Sequence, residues 1–465
     1  MRLMRCLLPL LACSLLAVFT RLADAEFPKN YVAGELVTLT DNGAWSWFMD
    51  ERAIVADGKV IVGSVRAVGE FRQGRHDPNW GNVELGVHDL DRGTTERVVL
   101  HPRLEQDDHN VPALLRLPDG RILAVYTRHA VERKVFHRHS APGNPLEWGP
   151  IEEFETPGRI SAPFSGDNVT YSNLFRLSSG RILNFFRGPG YDPNYLVSDD
   201  DGRSWTYGGR LLKGGDGYGP YLKYAFDGRD TIHLVVTEDH PRNFDNSLYH
   251  GYLRDGHVNR SDGTPVAALS NTAETTLAPQ DLTQIFRGDA DNVAWMADVE
   301  LDAEQRPCVV FSVQKDGRGL PRGQGGRDHR YWYARWDGTA WQSQEIAYAG
   351  TRLYLGEDDY TGLAAIDPQN VDVLYISTDA DPRTGEPLVS SADGRRHHEL
   401  FRGETDDSGA TRSWTPITAN STMDNLRPIV PKWDDPRTAL VWMRGAYVHN
   451  HGEWTTAVVA LILPP

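Results

Sequence analysis

The amino-acid sequence predicts an all-β fold, a seven-bladed propeller of four-stranded antiparallel blades. Three observations predict it: short β-branched or aromatic runs in place of helical periodicity, Asp-Gly pairs between those runs, and an internal repeat.

The runs come first. Residues 59–65, 122–126, 182–186, 232–236, 308–313 and 374–377 are apolar and four to eight residues long, which is strand length. Asp-Gly pairs punctuate them at Asp57, Asp119, Asp201, Asp216, Asp227, Asp255, Asp262, Asp316, Asp337 and Asp393. Asp-Gly between apolar runs is a hairpin signal, because both central residues of a type I′ turn need positive φ. The repeat sets the blade size. Residues 110–126 read NVPALLRLPDGRILAVY and residues 170–186 read TYSNLFRLSSGRILNFF, aligned without gaps at an offset of 60. A helix-free unit of that size suits one four-stranded blade, and the chain after residue 25 holds about seven of them. A weaker echo, ALVWMRG at residues 439–445, resembles ILNFFRG at residues 182–188. A pair of β-sandwiches is the alternative, but it leaves the repeat unexplained.

The N-terminus reads as an export signal. Arg2 and Arg5 precede an apolar stretch at residues 7–19, and Ala23-Asp24-Ala25 follows before Glu26. This predicts a secretory signal peptide over residues 1–25 and a single propeller domain over residues 26–465, secreted or periplasmic. Lipidation at Cys13 is the rival reading, and the apolar run continuing past Cys13 speaks against it. No other stretch is apolar for long enough to span a membrane. Outside the signal only Cys308 remains, so no internal disulfide is expected. That thiol is either buried or a metal ligand.

The 465 residues carry 48 Lys plus Arg against 64 Asp plus Glu, a net charge of -16. An acidic chain argues against nucleic acid as partner. An acidic substrate would need a local basic site inside an acidic shell.

Chemistry is expected where the apolar runs end, because the ends of inner strands converge on the ring's axis. His109 stands just before the first repeat unit and His129 just after it. Tyr171 opens the second unit and Arg187 ends it. Two His, a Tyr and an Arg suit β-elimination from a uronic acid. The Arg stabilises the enolate-like charge, while His or Tyr takes one proton and supplies another. Tyr serves as a base only if a nearby cation lowers its pKa. Individually each residue has a plain reading: a surface-loop His, a packed blade aromatic, an Arg paired to a turn carboxylate.

A further signature is Ser198-Asp199-Asp200-Asp201-Gly202-Arg203-Ser204-Trp205. It matches S-x-D-x-G-x-x-W, the Asp-box of sialidase-type propellers, with a degenerate copy at residues 407–414. The motif marks fold rather than chemistry. Taken with Asp108-His109-Asn110-Val111-Pro112, Val169-Thr170-Tyr171-Ser172-Asn173, Phe186-Arg187-Gly188, Pro220-Tyr221-Leu222-Lys223-Tyr224, Glu238-Asp239-His240-Pro241-Arg242 and Asp424-Asn425-Leu426-Arg427-Pro428, the chain resembles the propeller ulvan lyases and related BNR-repeat polysaccharide lyases.

The resemblance implies Arg187 as carboxylate neutraliser, Tyr171 and His109 as the acid/base pair, and His129 as a second acid/base or positioning residue. It implies a further site Tyr, at Tyr221 or Tyr224. It implies an enzyme acting on ulvan, a sulfated rhamnose–uronate polymer; a monomer is expected. Asn110, Arg128, Lys223, Arg242, Asn425 and Arg427 are the expected substrate contacts. Some of these folds hold a structural metal; here one zinc on His240, Cys308 and His329, with Asp298 as a fourth ligand, is the candidate set. No organic cofactor is expected. Two other functions fit the same fold. One is a sialidase-like hydrolase using Asp50, Glu51 and Arg52. The other is a non-catalytic carbohydrate binder with Trp45, Trp47 and Trp80 as stacking platforms.

Overall fold

The computed structural model describes residues 27–46, 49, 52–69, 77–158, 166–215, 217–269, 275–321, 323–405, 411–449 and 452–465. The expected signal peptide, with Cys6 and Cys13, lies outside them, as do Trp47, Asp50, Glu51 and part of the degenerate Asp-box.

Seven antiparallel sheets of at least four strands form the ring. Blades 1 to 6 begin with the inner strands Ala53–Ala56, Ala113–Arg116, Thr170–Arg176, Tyr221–Phe226, Val293–Leu301 and Ala364–Asp367, and each adds its next three strands outward in chain order. Blade 7 closes the ring differently. Its three inner strands, Asp424–Ile429, Thr438–His449 and Glu453–Leu463, come from the C-terminal end, and its outer strand Val37–Thr40 comes from the N-terminal end.

The apolar runs of the sequence are all second strands. Ile122–Thr127 is buried at all six positions and Pro307–Gln314 at all eight. A second strand is covered on both faces by neighbouring blades, so it reads as a continuous apolar run and not as an alternation. Outer strands such as Thr94–His101 are mostly exposed and leave little trace.

The Asp-Gly pairs make turns in two ways. At Asp57, Asp201 and Asp255 both the Asp and the following Gly have positive φ, as a type I′ turn requires. At Asp227 the carboxylate instead accepts from the backbone N–H groups of Arg229, Asp230 and Thr231, an Asx turn. In the Asp-box, Asp200 accepts from the N–H groups of Arg203 and Ser204 and Trp205 is buried.

Each ring end has its own character. Inner strands start at what we term the upper rim, where Thr170 pairs with Arg187 and Tyr221 with Thr237. The first hairpin turn of each blade lies at the lower rim.

Candidate active site

The upper rim between blades 2 and 3 brings four of the sequence-predicted residues together. His109 sits in a single 3-10 turn, Asp108–Asn110, before the inner strand Ala113–Arg116. Asp107 caps that turn, accepting from the His109 backbone N–H at 2.9 Å. The same carboxylate holds both imidazoles. Its Oδ1 lies 2.6 Å from His109 Nδ1 and its Oδ2 lies 2.9 Å from His129 Nδ1. The two rings stack with centroids 3.8 Å apart.

His129 follows the strand Ile122–Thr127, and its Nε2 lies 3.1 Å from Arg187 Nη2. Arg187 ends the strand Ile182–Arg187. It also donates to Thr170 Oγ1 at 3.2 Å and to Tyr221 Oη at 3.0 Å. Its guanidinium carbon is 5.1 Å from the centre of the Tyr171 ring, which is itself 5.4 Å from the His109 ring. One sugar ring spans these separations.

Tyr171 reaches this position through a backbone irregularity. Its φ is 68°, and strand pairing shifts between Thr170 and Asn173. A non-glycine residue in the left-handed region is uncommon, and a bulge re-aims a side chain relative to the regular alternation.

The electrostatics differentiate the two histidines. Burial opposes a charge on His109, but the carboxylates of Asp107 and Asp108 outweigh it and raise its pKa to about 9. Burial, reinforced by the charge on His109, pushes His129 down to about 3. A neutral His129 explains its contacts: Nδ1–H donates to Asp107, and the Nε2 lone pair accepts from Arg187. Burial raises Tyr171 well above its ordinary value despite Arg187. The phenol is therefore protonated: Arg187 pulls its pKa down, but burial outweighs that pull, and a tyrosine base would need the reverse.

Beneath His109, Asp108 Oδ2 accepts from Tyr447 Oη at 2.5 Å and lies 3.3 Å from Arg427 Nη1. Among Asp107, Asp108, His109, Arg187 and Arg427 the balance is one net positive charge. This is a local basic site inside an acidic protein.

A model of the BNR repeat-containing family matches residues 75–349. The chain belongs to the BNR repeat-containing family. No curated protein sequence matches it. Among solved structures, this BNR-repeat chain is similar to an ulvan lyase of polysaccharide lyase family PL25 bound to -[GlcA(1-4)Rha3S]-. The TM-score is 0.61 at 14% identity, over 91% of this chain and 97% of that one. It is also similar to the polysaccharide lyase Uly1, with a TM-score of 0.56 at 11% identity, over 94% of this chain and 100% of that one. At these identities the likeness establishes the shared propeller fold.

The remaining candidates divide. Of the two tyrosines, Tyr221 touches Arg187, whereas Tyr224 stacks on Phe185, centroids 5.1 Å apart, in the core between blades. Arg242 lies on the same rim, 2.7 Å from Glu357 Oε1 and 2.9 Å from His240 Nε2. Arg128 is partly exposed and paired with Glu105 and Glu132. The side chains of four other expected substrate contacts are buried and bonded within the protein. Asn110 is buried and donates to Glu105. Lys223 is buried and donates to the Met49 carbonyl at 3.2 Å. Asn425 is buried, donates to Glu399 and accepts from Trp442 Nε1. Arg427 is fully buried against Asp108. Asn110 and Asn425 have the sequence position of rim residues but are turned into the protein, whereas Lys223 and Arg427 lie inside their strands and line a small cavity with Met49 and Arg52.

The expected zinc set is also corrected. Cys308 pairs with Arg335 at one end of blade 5, and His329 pairs with Gln314 at the other. Six residues of strand separate them, about 20 Å, so one ion cannot bind both. Cys308 is a core thiol, pushed up to about 11 by burial. Asp298 accepts from the Ile366 N–H at 2.8 Å. His240 does group with Glu357 and Asp359, with donor atoms within 4.8 Å of one another. The Arg242 guanidinium already lies against His240 and Glu357, so that donor set is met by a cation of the protein itself. Of the stacking platforms, Trp45 is buried and Trp80 is 38% exposed. Arg52 is buried and donates to the Ser172 carbonyl.

Asp107 is the residue sequence reasoning missed. Its signal was the acidic pair beside His109, which reads as a solvated loop until burial is known.

Proposed function

We propose that this protein is an exported polysaccharide lyase that cleaves a uronate-containing, sulfated polysaccharide of ulvan type by β-elimination. The observation that carries the reading is the meeting of Arg187, Tyr171 and a neutral His129 in a buried pocket of net positive charge. The fold shared with the two lyases supports it.

The steps follow from the protonation states. The substrate carboxylate takes the Nη groups of Arg187, which withdraws electron density from the α carbon and acidifies its proton. That releases His129 Nε2 from its guanidinium donor. Asp107 holds the opposite edge of the ring, so the freed lone pair is oriented, as in a carboxylate–imidazole base. The incoming negative charge also raises the basicity of His129. His129 takes the proton, the bond to the glycosidic oxygen breaks, and Tyr171 Oη supplies a proton to the departing oxygen. The charged His109 holds Asp107 in place beneath His129. This refines the acid/base assignment expected from the resemblance, because a His109 already protonated cannot act as the base.

A spectrophotometric assay on ulvan, glycosaminoglycans, alginate and pectins tests the reading. Ultraviolet absorbance from a new unsaturated uronate end is the expected result on ulvan. Reducing sugar released without that absorbance would instead indicate hydrolysis. The Glu357–Asp359 pair is the observation that favours that second reading: burial and the neighbouring Glu357 raise Asp359 to about 7, in the range of a general acid.

A further inference from the structure

A cavity of about 640 Å³ lies at the lower rim between blades 4 and 5, with Asp227, His233, Tyr252 and Trp336 in its wall. It sits at the far end of the blade 4 hairpin from Tyr221, because the Asp227 turn follows the Phe226–Ile232 pair. Five strand residues separate the two ends, about 17 Å. It is therefore separate from the catalytic cleft. Its size is that of a small-molecule site.

One wall is a relay of hydrogen bonds. Trp341 Nε1 donates to Ser261 Oγ at 2.9 Å, Ser261 Oγ lies 2.8 Å from His250 Nδ1, and His250 Nε2 lies 3.0 Å from His233 Nδ1. Ser261 has no other acceptor for its own proton among the described residues, and donating to His250 is the arrangement that keeps that proton within the wall. That choice fixes both tautomers: His250 Nε2–H donates to His233 Nδ1, and His233 carries its proton on Nε2. His233 is only 7% exposed. Its Nε2 has no partner among the described residues, yet it is not one of the sealed unpartnered atoms. A donor is thus held toward the cavity by a chain that reaches into blade 5. Two strands that blade 4 has beyond the usual four, Pro265–Ala268 and Thr283–Phe286, brace the relay, and Thr283 Oγ1 accepts from the Ser261 N–H.

Most charges around the cavity are paired, Arg229 with Asp230 and Arg254 with Asp255. Arg306 is paired with Asp302 and Glu304, and Asp227 is used by its own turn. Burial pushes His233 down to about 4, so the donor is an uncharged ring at neutral pH. Asp227, Asp230, Asp255 and Glu304 outnumber Arg229, Arg254 and Arg306 in the wall by one, so the cavity does not favour an anion. What is left is an imidazole N–H, carboxylate and guanidinium edges, and the aromatic faces of Tyr252 and Trp336. Those are the groups that hold hydroxyls and the apolar face of a sugar ring.

We propose that this cavity is a second, non-catalytic binding site for an uncharged sugar unit, with His233 Nε2–H as its central donor. The site goes beyond the lyase reading and does not depend on it.

The test is calorimetric titration of the whole protein carrying Arg187→Ala, which silences the catalytic cleft. The probes are rhamnose, xylotriose and cellotriose, with glucuronate and inorganic sulfate as charged comparators. At least one neutral sugar is expected to saturate the protein below about 20 mM. His233→Phe should weaken that binding about tenfold, the loss of one shielded hydrogen bond. Tyr252→Ala should weaken it as well, and it decides the matter if His233→Phe does not fold. Turnover in the otherwise unaltered protein should be unchanged by either substitution. No saturation by any neutral sugar, equal binding in both variants, or a preference for glucuronate or sulfate would overturn the proposal.

Discussion

In blade 2 and blade 3 the two copies of the repeat build the same pair of inner strands, with Ile122 and Ile182 buried at equivalent points. At the rim they part. Blade 2 contributes a capped 3-10 turn carrying His109 and, past its second strand, His129. Blade 3 has no such turn before its inner strand among the described residues; that strand bulges at Tyr171 and the second strand ends on Arg187. Where the copies agree they fill the space between blades. Where they differ they supply complementary groups to one pocket, imidazoles from one side and phenol and guanidinium from the other.

That contrast can be broken by substitution, beginning with the largest expected effect. Arg187→Ala should lower kcat/KM by about 10³-fold or more in the ultraviolet assay, since it removes the group facing the developing charge. Tyr171→Phe should lower kcat about 10²- to 10³-fold with KM nearly unchanged, as expected for a lost proton donor. If Tyr171→Phe keeps full activity, the blade 3 half of the site is misassigned.

Asp107→Asn probes the blade 2 half. It should cost about tenfold or more in kcat, and the alkaline limb of the pH–rate profile should move to lower pH, because His109 loses a carboxylate that raises its pKa. An unmoved limb would mean that Asp107 does not set the charge of His109.

Stability should carry the same signature. The pKa of His109 is higher in the folded protein, about 9, than its ordinary value of 6.5. The stabilisation from its charge is therefore complete below pH 6.5 and is lost as the pH rises through 9. The urea midpoint should fall across that window in the unaltered protein and stay flatter in His109→Gln.

The smallest effect on activity belongs to the shared scaffold. Gly202 has a φ of 82°, and a Cβ there would meet Leu123 Cδ2 of blade 2 at 2.5 Å. Gly202→Ala should destabilise the fold by about 1–3 kcal/mol and leave kcat nearly unchanged.

The same division explains what could be read from the sequence. The fold was legible because each second strand is covered on both faces and reads as an unbroken apolar run. The four catalytic candidates were legible because they stand where those runs stop. Side-chain direction was not legible. Asn425 occupies a rim position at the start of an inner strand, yet it turns into the core, and Arg427 two residues on is fully buried against Asp108. Cys308 and His329 belong to adjacent strands of blade 5, but register alone places them at opposite ends. Asp107 was hidden for a related reason: consecutive acids look solvent-facing unless two imidazoles and an Arg–Tyr pair are known to lie against them.

The seam in blade 7 bears on how the chain folds. The strand Val37–Thr40 has to wait for Glu453–Leu463 before it has an edge to join. The chain must therefore be synthesised through that strand before the circle can shut, and the contact links residues as far apart as Val37 and Ala460, which makes it slow to form. Until then the emerging polypeptide is an open arc whose strand Val37–Thr40 lacks its partner.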